Sequence, residues 1–193
     1  MDRLSQVSIA DWSVETMQKL RIRPVTPSDA ERLAEIFSYY VLNTAVAFEY
    51  EPMSAEVFRE RIARTTEHYP YLVAEENGRV LGYAYAGPFV GRAAYAHSCE
   101  LTIYLDPAAH KRGLGRALYM ALEDRLREMG ILNLYACIGD PVEDDDPYLT
   151  RNSEQFHAHM GFTKVGTFRK CGYKFGRWYN MIWMEKMIGE HAR

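Results

Sequence analysis

Residues 98–130 change their hydrophobic period at a glycine-bearing turn, and this change constrains the fold more than any other feature of the chain. Residues 98–105 alternate apolar with polar side chains, which is the period of a β-strand. From Leu114 onward the apolar residues follow helical spacing as far as Gly130, a residue type that commonly ends helices. The pattern predicts a strand, a tight turn and a long amphipathic helix in direct succession.

The remaining periodic segments predict further strands and helices of a mixed α/β domain. The Asn77-Gly78 pair lies between two alternating segments and predicts an antiparallel hairpin. Thr26, with a proline next and an acidic residue third, predicts a helix start. The predicted strands are at 20–25, 71–75, 80–85, 98–105, 132–138, 163–169 and 179–186. The predicted helices follow Thr26, start at Ser54, run from Leu114 to Gly130 and span about Ser153 to Met160.

The length and composition favour one domain. A chain of 193 residues with 48% hydrophobic residues can bury a sizeable core as a single unit. We expect an N-terminal arm at 1–19, the domain at 20–188 and a short tail at 189–193. The arm lacks the apolar run of a signal peptide, and no segment approaches the roughly 20 apolar residues of a membrane span, so we expect a cytoplasmic protein without membrane contact.

Charge and cysteine content exclude other classes. A formal net charge of −3 gives no field that would attract nucleic acid, so we expect no nucleic-acid partner. Cys99, Cys137 and Cys171 are odd in number and lack the spacing of metal ligands. We interpret all three as reduced core thiols and expect no metal.

The turn at 110–115, His-Lys-Arg-Gly-Leu-Gly, stands between the strand and the long helix. Such a turn offers backbone N–H groups and a positive helix end to an anion, and its glycines allow a phosphate to approach. A purely structural tight turn fits the residues about equally well. A Walker motif is excluded because Gly115 is followed by Arg116 and an alanine, and a dinucleotide fingerprint lacks its third glycine.

The turn resembles the signature of the GNAT acetyltransferases, which is Arg or Gln, two residues, Gly, one residue, then Gly or Ala. His110 stands at the first position. Several further segments resemble the phosphinothricin acetyltransferase family, in that family's order and across about residues 20–188. These segments are Tyr39–Thr44, Tyr83–Phe89, Arg92–Tyr95, Glu100–Tyr104 and Gly172–Trp178.

The resemblance implies an α/β GNAT fold and acetyl-CoA as co-substrate. That fold has a mixed, mostly antiparallel sheet of about seven strands, splayed at a central parallel pair and flanked by about four helices. Pantetheine would bind the backbone of one strand, and the pyrophosphate would bind the turn. The cofactor-binding residues carried over are Ile103, Tyr104, Leu105, Lys111, Arg112, Gly113, Leu114, Gly115, Arg116 and Ser153.

Two residues are carried over as catalytic. Glu100 lies on the polar face of its strand and could take the proton that an amine must lose before attack. A structural carboxylate satisfied by a partner is the alternative. His157 stands where many GNAT enzymes have a tyrosine proposed to protonate the leaving thiolate, and imidazole titrates near neutrality. A positioning or core histidine is the alternative at that site.

The acceptor implied by the resemblance is a small amino-acid-like amine of the phosphinothricin, methionine sulfone or sulfoximine type. Phe48, Arg92 and Tyr95 are the expected substrate-binding residues, with Arg92 clamping a carboxylate. The open alternatives are a protein N-terminal acetyltransferase and a catalytically silent acyl-CoA sensor. The family also implies a possible homodimer.

Overall fold

The sheet and its helices were identified in a computed structural model that describes residues 20–192. The strands are β1 (Arg21–Pro24), β2 (Tyr71–Glu76), β3 (Arg79–Pro88), β4 (Ser98–Leu105), β5 (Asn133–Pro141), β6 (Thr163–Lys174) and β7 (Arg177–Met187). The helices are α1 (Ala30–Asn43), α2 (Ala55–Thr66), α3 (Leu114–Glu128) and α4 (Asn152–His159), with short 3-10 helices at Pro27–Asp29, Ala93–Tyr95 and Pro107–Ala109.

All seven strands form one sheet in the order β1-β2-β3-β4-β5-β7-β6. Every neighbouring pair is antiparallel except β4 and β5, which are parallel. The predicted fold class is therefore confirmed. The predicted N-terminal arm at 1–19 lies outside the described residues, and the domain boundaries stay a prediction.

Helices cover both faces of the sheet. On one face, α3 packs its apolar stripe onto the central strands, and α4 adds Phe156 and Met160 to the same core. On the other face, α1 and α2 pack on β2 and β3. Successive side chains of β4 point to opposite faces of the sheet. Cys99 and Leu101 are buried on the α3 side. Tyr104 lies on the other side and packs edge to face on Phe37 of α1, with ring centroids 5.1 Å apart. The predicted two faces of this strand are confirmed.

The parallel pair β4 and β5 is short and then opens. Only three positions are paired, and the last of them sets Glu100 opposite Tyr135. β5 is paired with β7 along its whole length, from Asn133 to Pro141. Beyond Tyr135, however, β5 is no longer paired with β4. The two strands therefore diverge at Glu100 and leave a wedge between them. This is the predicted splay.

The expectation that all three cysteines are core thiols is wrong for two of them. All three are free, but only Cys99 is buried. Cys137 lies on the face of β5 that α3 does not cover, beyond the point where β4 diverges. Cys171 lies where the pairing of β6 with β7 shifts register, and the irregular backbone exposes it.

Two further features bear on function. Within residues 20–192, no helix combines the length and apolarity needed to cross a bilayer. Among the same residues, His, Cys, Asp and Glu side chains form no cluster of three or more that could hold a metal ion.

Candidate active site

A cavity of about 610 Å³ opens in the wedge between β4 and β5. Residues 101–104 form one wall and residues 136–139 the other, while the loop at 46–49, α4 and the bulged part of β6 close the ends. The chemically active or polar side chains that line it are Glu49, Glu100, Thr102, Tyr104, Tyr119, Cys137, Ser153, His157 and Cys171.

Glu100 lies at the apex of the wedge. Its side chain is half-buried and makes no hydrogen bond or ion pair with any residue from 20 to 192. Burial raises the pKa of its carboxyl above the ordinary value of 4.5. A carboxylate of this kind is a better proton acceptor than a solvated one, because its pKa lies closer to neutral pH. The alternative interpretation, a structural carboxylate, would require a partner for Glu100, and the described residues provide none.

His157 is buried in α4, with 3% of its surface exposed, and both ring nitrogens are engaged. Nδ1 lies 2.7 Å from the carbonyl oxygen of Ser153, and Nε2 lies 2.8 Å from the hydroxyl of Tyr119. A carbonyl can only accept, so Nδ1 carries the hydrogen and Nε2 of the neutral ring accepts from Tyr119. Burial lowers the pKa of His157 below 6.5, which keeps the ring neutral at pH 7. This geometry favours a positioning histidine behind the Tyr119 hydroxyl.

The turn at 110–116 has the backbone of an anion cradle. Lys111 and Gly113 adopt φ values of 61° and 76°, so the chain curls immediately before α3. The first N–H groups of a helix have no acceptor within the helix, and they carry its positive dipole end. A Cβ built on Gly113 would meet no atom within 4 Å, so the space above the turn is open to a phosphate. The predicted pyrophosphate site fits these residues.

The side chains of the turn have separate roles. Gly115 is buried, and a Cβ there would come within 3.0 Å of the Phe156 ring, so this glycine lets α3 approach α4. Arg112 pairs with Glu76 at 2.6 Å, while Lys111 and Arg116 are exposed. Leu114 is buried in the core.

His110, the departure from the GNAT signature, is held in place by α1. Its Nε2 lies 2.9 Å from the hydroxyl of Tyr40, which itself donates to the carbonyl oxygen of Leu105 at 2.5 Å. Since that hydroxyl hydrogen is engaged, Nε2–H of His110 is the donor to Tyr40. The pair fastens the start of the turn to the end of β4.

The expected acceptor residues divide into two groups. Phe48 lines the cavity, packs edge to face on Tyr179 and lies against Gly172, where a Cβ would come within 2.3 Å of its ring. Arg92 and Tyr95 lie in the exposed segment between β3 and β4 and do not line the cavity. Tyr95 instead packs on Phe89, with centroids 5.7 Å apart. Their substrate-binding role stays a prediction.

The carried-over cofactor residues lie together. Ile103 and Tyr104 line the cavity, Leu105 continues the same strand toward the turn, and Ser153 lies at the opposite wall on α4. The backbone of β4 beyond Glu100 has no strand partner on its β5 side. That free edge fits the amide-bearing arm of pantetheine, which pairs as a strand would.

Sequence reasoning did not assign five of the polar or chemically active cavity residues to the site, namely Glu49, Thr102, Tyr119, Cys137 and Cys171. Tyr119 stands beside the apolar stripe of α3, and Cys137 reads as one more strand residue, so neither is singled out by pattern. Cys171 and Glu49 reach the cavity through a bulge and a loop, which periodicity does not describe. The alternation of β5 could have placed Cys137 on the face shared with Tyr135.

Known proteins of similar sequence support this architecture. The acetyltransferase (GNAT) domain family matches residues 22–183. A phosphinothricin N-acetyltransferase of Streptomyces coelicolor is 34% identical over 174 residues, covering 88% of this chain and 97% of its own. An L-methionine sulfoximine/L-methionine sulfone acetyltransferase of Salmonella typhimurium is 31% identical over 177 residues, covering 90% and 97%.

A solved structure supports the same assignment. The crystal structure of a phosphinothricin acetyltransferase from Sinorhizobium meliloti, in complex with acetyl-CoA, superposes with a TM-score of 0.79 at 33% identity, covering 88% of this chain and 89% of that one. With the wedge, the glycine turn and the family match in agreement, the chain belongs to the GNAT family of acetyltransferases.

Proposed function

We propose that this acetyltransferase transfers the acetyl group of acetyl-CoA to the amine of a small amino-acid-like acceptor, by direct attack in a ternary complex. The observation that carries the proposal is the position of Glu100 at the apex of the wedge, where its carboxylate has no partner among residues 20–192. The relatives from Streptomyces and Salmonella are named for amino-acid-like acceptors, which supports the same substrate class.

The chain's own groups suit the binding of acetyl-CoA. The N–H groups at the start of α3 and the curled backbone at Lys111 and Gly113 would hold the pyrophosphate. The free edge of β4 from Ile103 to Leu105 would pair with pantetheine, and Ser153 faces it from α4. These contacts would direct the thioester toward Glu100.

Glu100 would act as general base. An acceptor amine is largely protonated at neutral pH and must lose a proton before its nitrogen can attack the thioester carbonyl. The carboxylate takes this proton, directly or through a water, and the freed nitrogen then forms the C–N bond and gives up a second proton. The C–S bond then breaks, and the CoA thiolate leaves and takes up a proton.

Both Tyr119 and His157 line the cavity, but Nε2 of the neutral His157 ring carries no hydrogen and accepts from Tyr119, so we propose the Tyr119 hydroxyl as the donor of that last proton. The carbonyl of Ser153 fixes the ring of His157, and the ring in turn fixes the hydroxyl. We therefore retain His157 in the site as a group that positions Tyr119.

The acceptor would occupy the end of the cavity beside Phe48. A homodimer would offer a second copy of the segment that carries Arg92 and Tyr95, and on that basis we retain both as proposed contacts to the acceptor carboxylate. A protein N-terminal acetyltransferase would need a groove open to an extended chain, whereas the loop at 46–49 closes this end. A silent acyl-CoA sensor would not need a carboxylate in the wedge that pairs with none of the described residues.

Release of free thiol from acetyl-CoA, measured over a panel of amines, tests the proposal. We expect turnover with amino acids such as methionine sulfone and phosphinothricin and none with peptides that start in alanine or serine. Turnover confined to peptides would establish the protein acetyltransferase alternative. Binding of acetyl-CoA without turnover on any amine would establish the sensor.

A further inference from the structure

The loop at 44–50, which forms one wall of the cavity, is fastened to the hairpin of β6 and β7. Lys174 is almost fully buried, and its ammonium donates to the carbonyl oxygens of Val41 at 2.7 Å, Thr44 at 3.0 Å and Ala47 at 2.6 Å. These contacts fix the path of the loop, and they use all three hydrogens of the ammonium.

A second tether holds the far end of the same loop. The hydroxyl of Tyr50 donates to the carbonyl oxygen of Tyr173 at 2.6 Å. The segment between the two tethers includes Phe48 and Glu49, and both line the cavity. Their position is therefore set by the fold.

Glu49 is a second acidic group in the cavity. Its side chain is half-buried and makes no hydrogen bond or ion pair with residues 20–192. The nearby ammonium of Lys174 is within electrostatic reach but is directed at backbone carbonyls. Lys174 offsets part of the charge of Glu49, but no described residue forms a hydrogen bond or ion pair with the carboxylate, so it still acts on whatever occupies the cavity.

The charges along the described lining have one sign. Glu49 and Glu100 are acidic, His157 is neutral, and Lys and Arg side chains are absent from the lining contributed by residues 20–192. Such a cavity attracts the ammonium group of an acceptor. It repels an acceptor in proportion to the negative charge on the rest of the molecule, because like charges are poorly screened in a partly enclosed site.

We propose that Glu49 is a specificity-determining residue that selects against acceptors with a second negative charge. Phosphinothricin carries a phosphinate in addition to its α-carboxylate, whereas methionine sulfone carries only the α-carboxylate. The chain therefore acetylates methionine sulfone more efficiently than phosphinothricin. This inference rests on the proposed function and adds the charge class of its acceptor.

The test compares kcat/KM for the two acceptors in wild type, Glu49→Gln and Glu51→Gln. Glu51 lies two residues further along the chain, is exposed and does not line the cavity, so its variant removes the same charge outside the site. We expect wild type to prefer methionine sulfone, and Glu49→Gln to shift the ratio toward phosphinothricin by about tenfold. Glu51→Gln should leave the ratio unchanged.

A ratio that is the same in Glu49→Gln as in wild type would overturn the inference, and so would a wild-type preference for phosphinothricin. Should wild type acetylate neither compound, the proposed function fails separately. Calorimetric titration of each amino acid into the protein saturated with CoA then decides the charge selection, since Glu49→Gln must strengthen the binding of phosphinothricin relative to methionine sulfone.

Discussion

The hydroxyl of Tyr119 and Nε2 of His157 lie 2.8 Å apart in a buried contact between α3 and α4, directly beside the cavity. Both side chains are almost completely buried, so the contact is largely shielded from solvent. Loss of the hydroxyl would leave a buried nitrogen without a donor, and this makes the contact a structural one as well as a proposed part of the chemistry.

Tyr119→Phe should lower the free energy of unfolding by about 1–3 kcal/mol, because Nε2 of His157 stays buried and unsatisfied. Tyr83→Phe is the matched control. The Tyr83 hydroxyl is buried and has no hydrogen-bond partner among residues 20–192, so its removal should leave stability unchanged or slightly higher. Urea unfolding of both variants measures the difference. Equal losses in the two would show that the Tyr119 hydroxyl contributes nothing specific.

Gly113→Ala should weaken acetyl-CoA binding. Gly113 has a left-handed backbone conformation, in which a side chain costs about 1–2 kcal/mol of stability. The added Cβ would also project into the open space above the turn. Gly130→Ala provides the control at the other end of α3, since Gly130 has φ +78° and equally open surroundings. Both variants should lose similar stability. Calorimetry should find weaker cofactor binding only in Gly113→Ala, and an unchanged affinity there would place the pyrophosphate elsewhere.

Lys174→Met should destabilise the protein by about 3 kcal/mol, since three carbonyl groups lose a charged donor. It should also speed hydrogen exchange of the backbone amides at 44–50. Lys170→Met, on the same hairpin but with an exposed side chain, should change neither quantity. If the amides of this loop exchange as slowly in Lys174→Met as in wild type, Lys174 does not fasten the loop.

The sequence was sufficient to predict most of the fold because its elements are locally encoded. The period of residues 98–105, the Asn77-Gly78 turn and the glycines around α3 each express a short-range preference. The parallel pairing of β4 with β5 could be predicted only from the family resemblance, because it joins residues more than 30 positions apart in the chain.

The candidate site was predicted where it depends on one strand or one turn, as for Glu100 and Gly113. Long-range packing decided the rest. The sequence places Lys174 on a hairpin but does not indicate its burial, because its partners lie 127 to 133 residues earlier in the chain. Glu49 enters the cavity on a loop that Lys174 and Tyr50 fasten to the hairpin.

Glu100→Gln should stabilise the protein at neutral pH. Burial raises the pKa of Glu100 in the folded state, so the unfolded chain loses this proton first, near pH 4.5. Wild type therefore loses stability as the pH rises from 4.5 through the raised pKa, and the variant does not. The gain in Tm from the substitution should be larger at pH 7 than at pH 4. A gain independent of pH would indicate that Glu100 is not buried as a charge.

The turnover of Glu100→Gln with methionine sulfone, measured beside its acetyl-CoA affinity, tests the proposed chemistry most directly. Loss of a general base should lower kcat by about 10²- to 10⁴-fold while the dissociation constant for acetyl-CoA stays within about twofold of wild type. The defect should shrink at high pH, where more of the acceptor amine is already deprotonated. A kcat equal to that of wild type at neutral pH would contradict the assignment of Glu100 as the base.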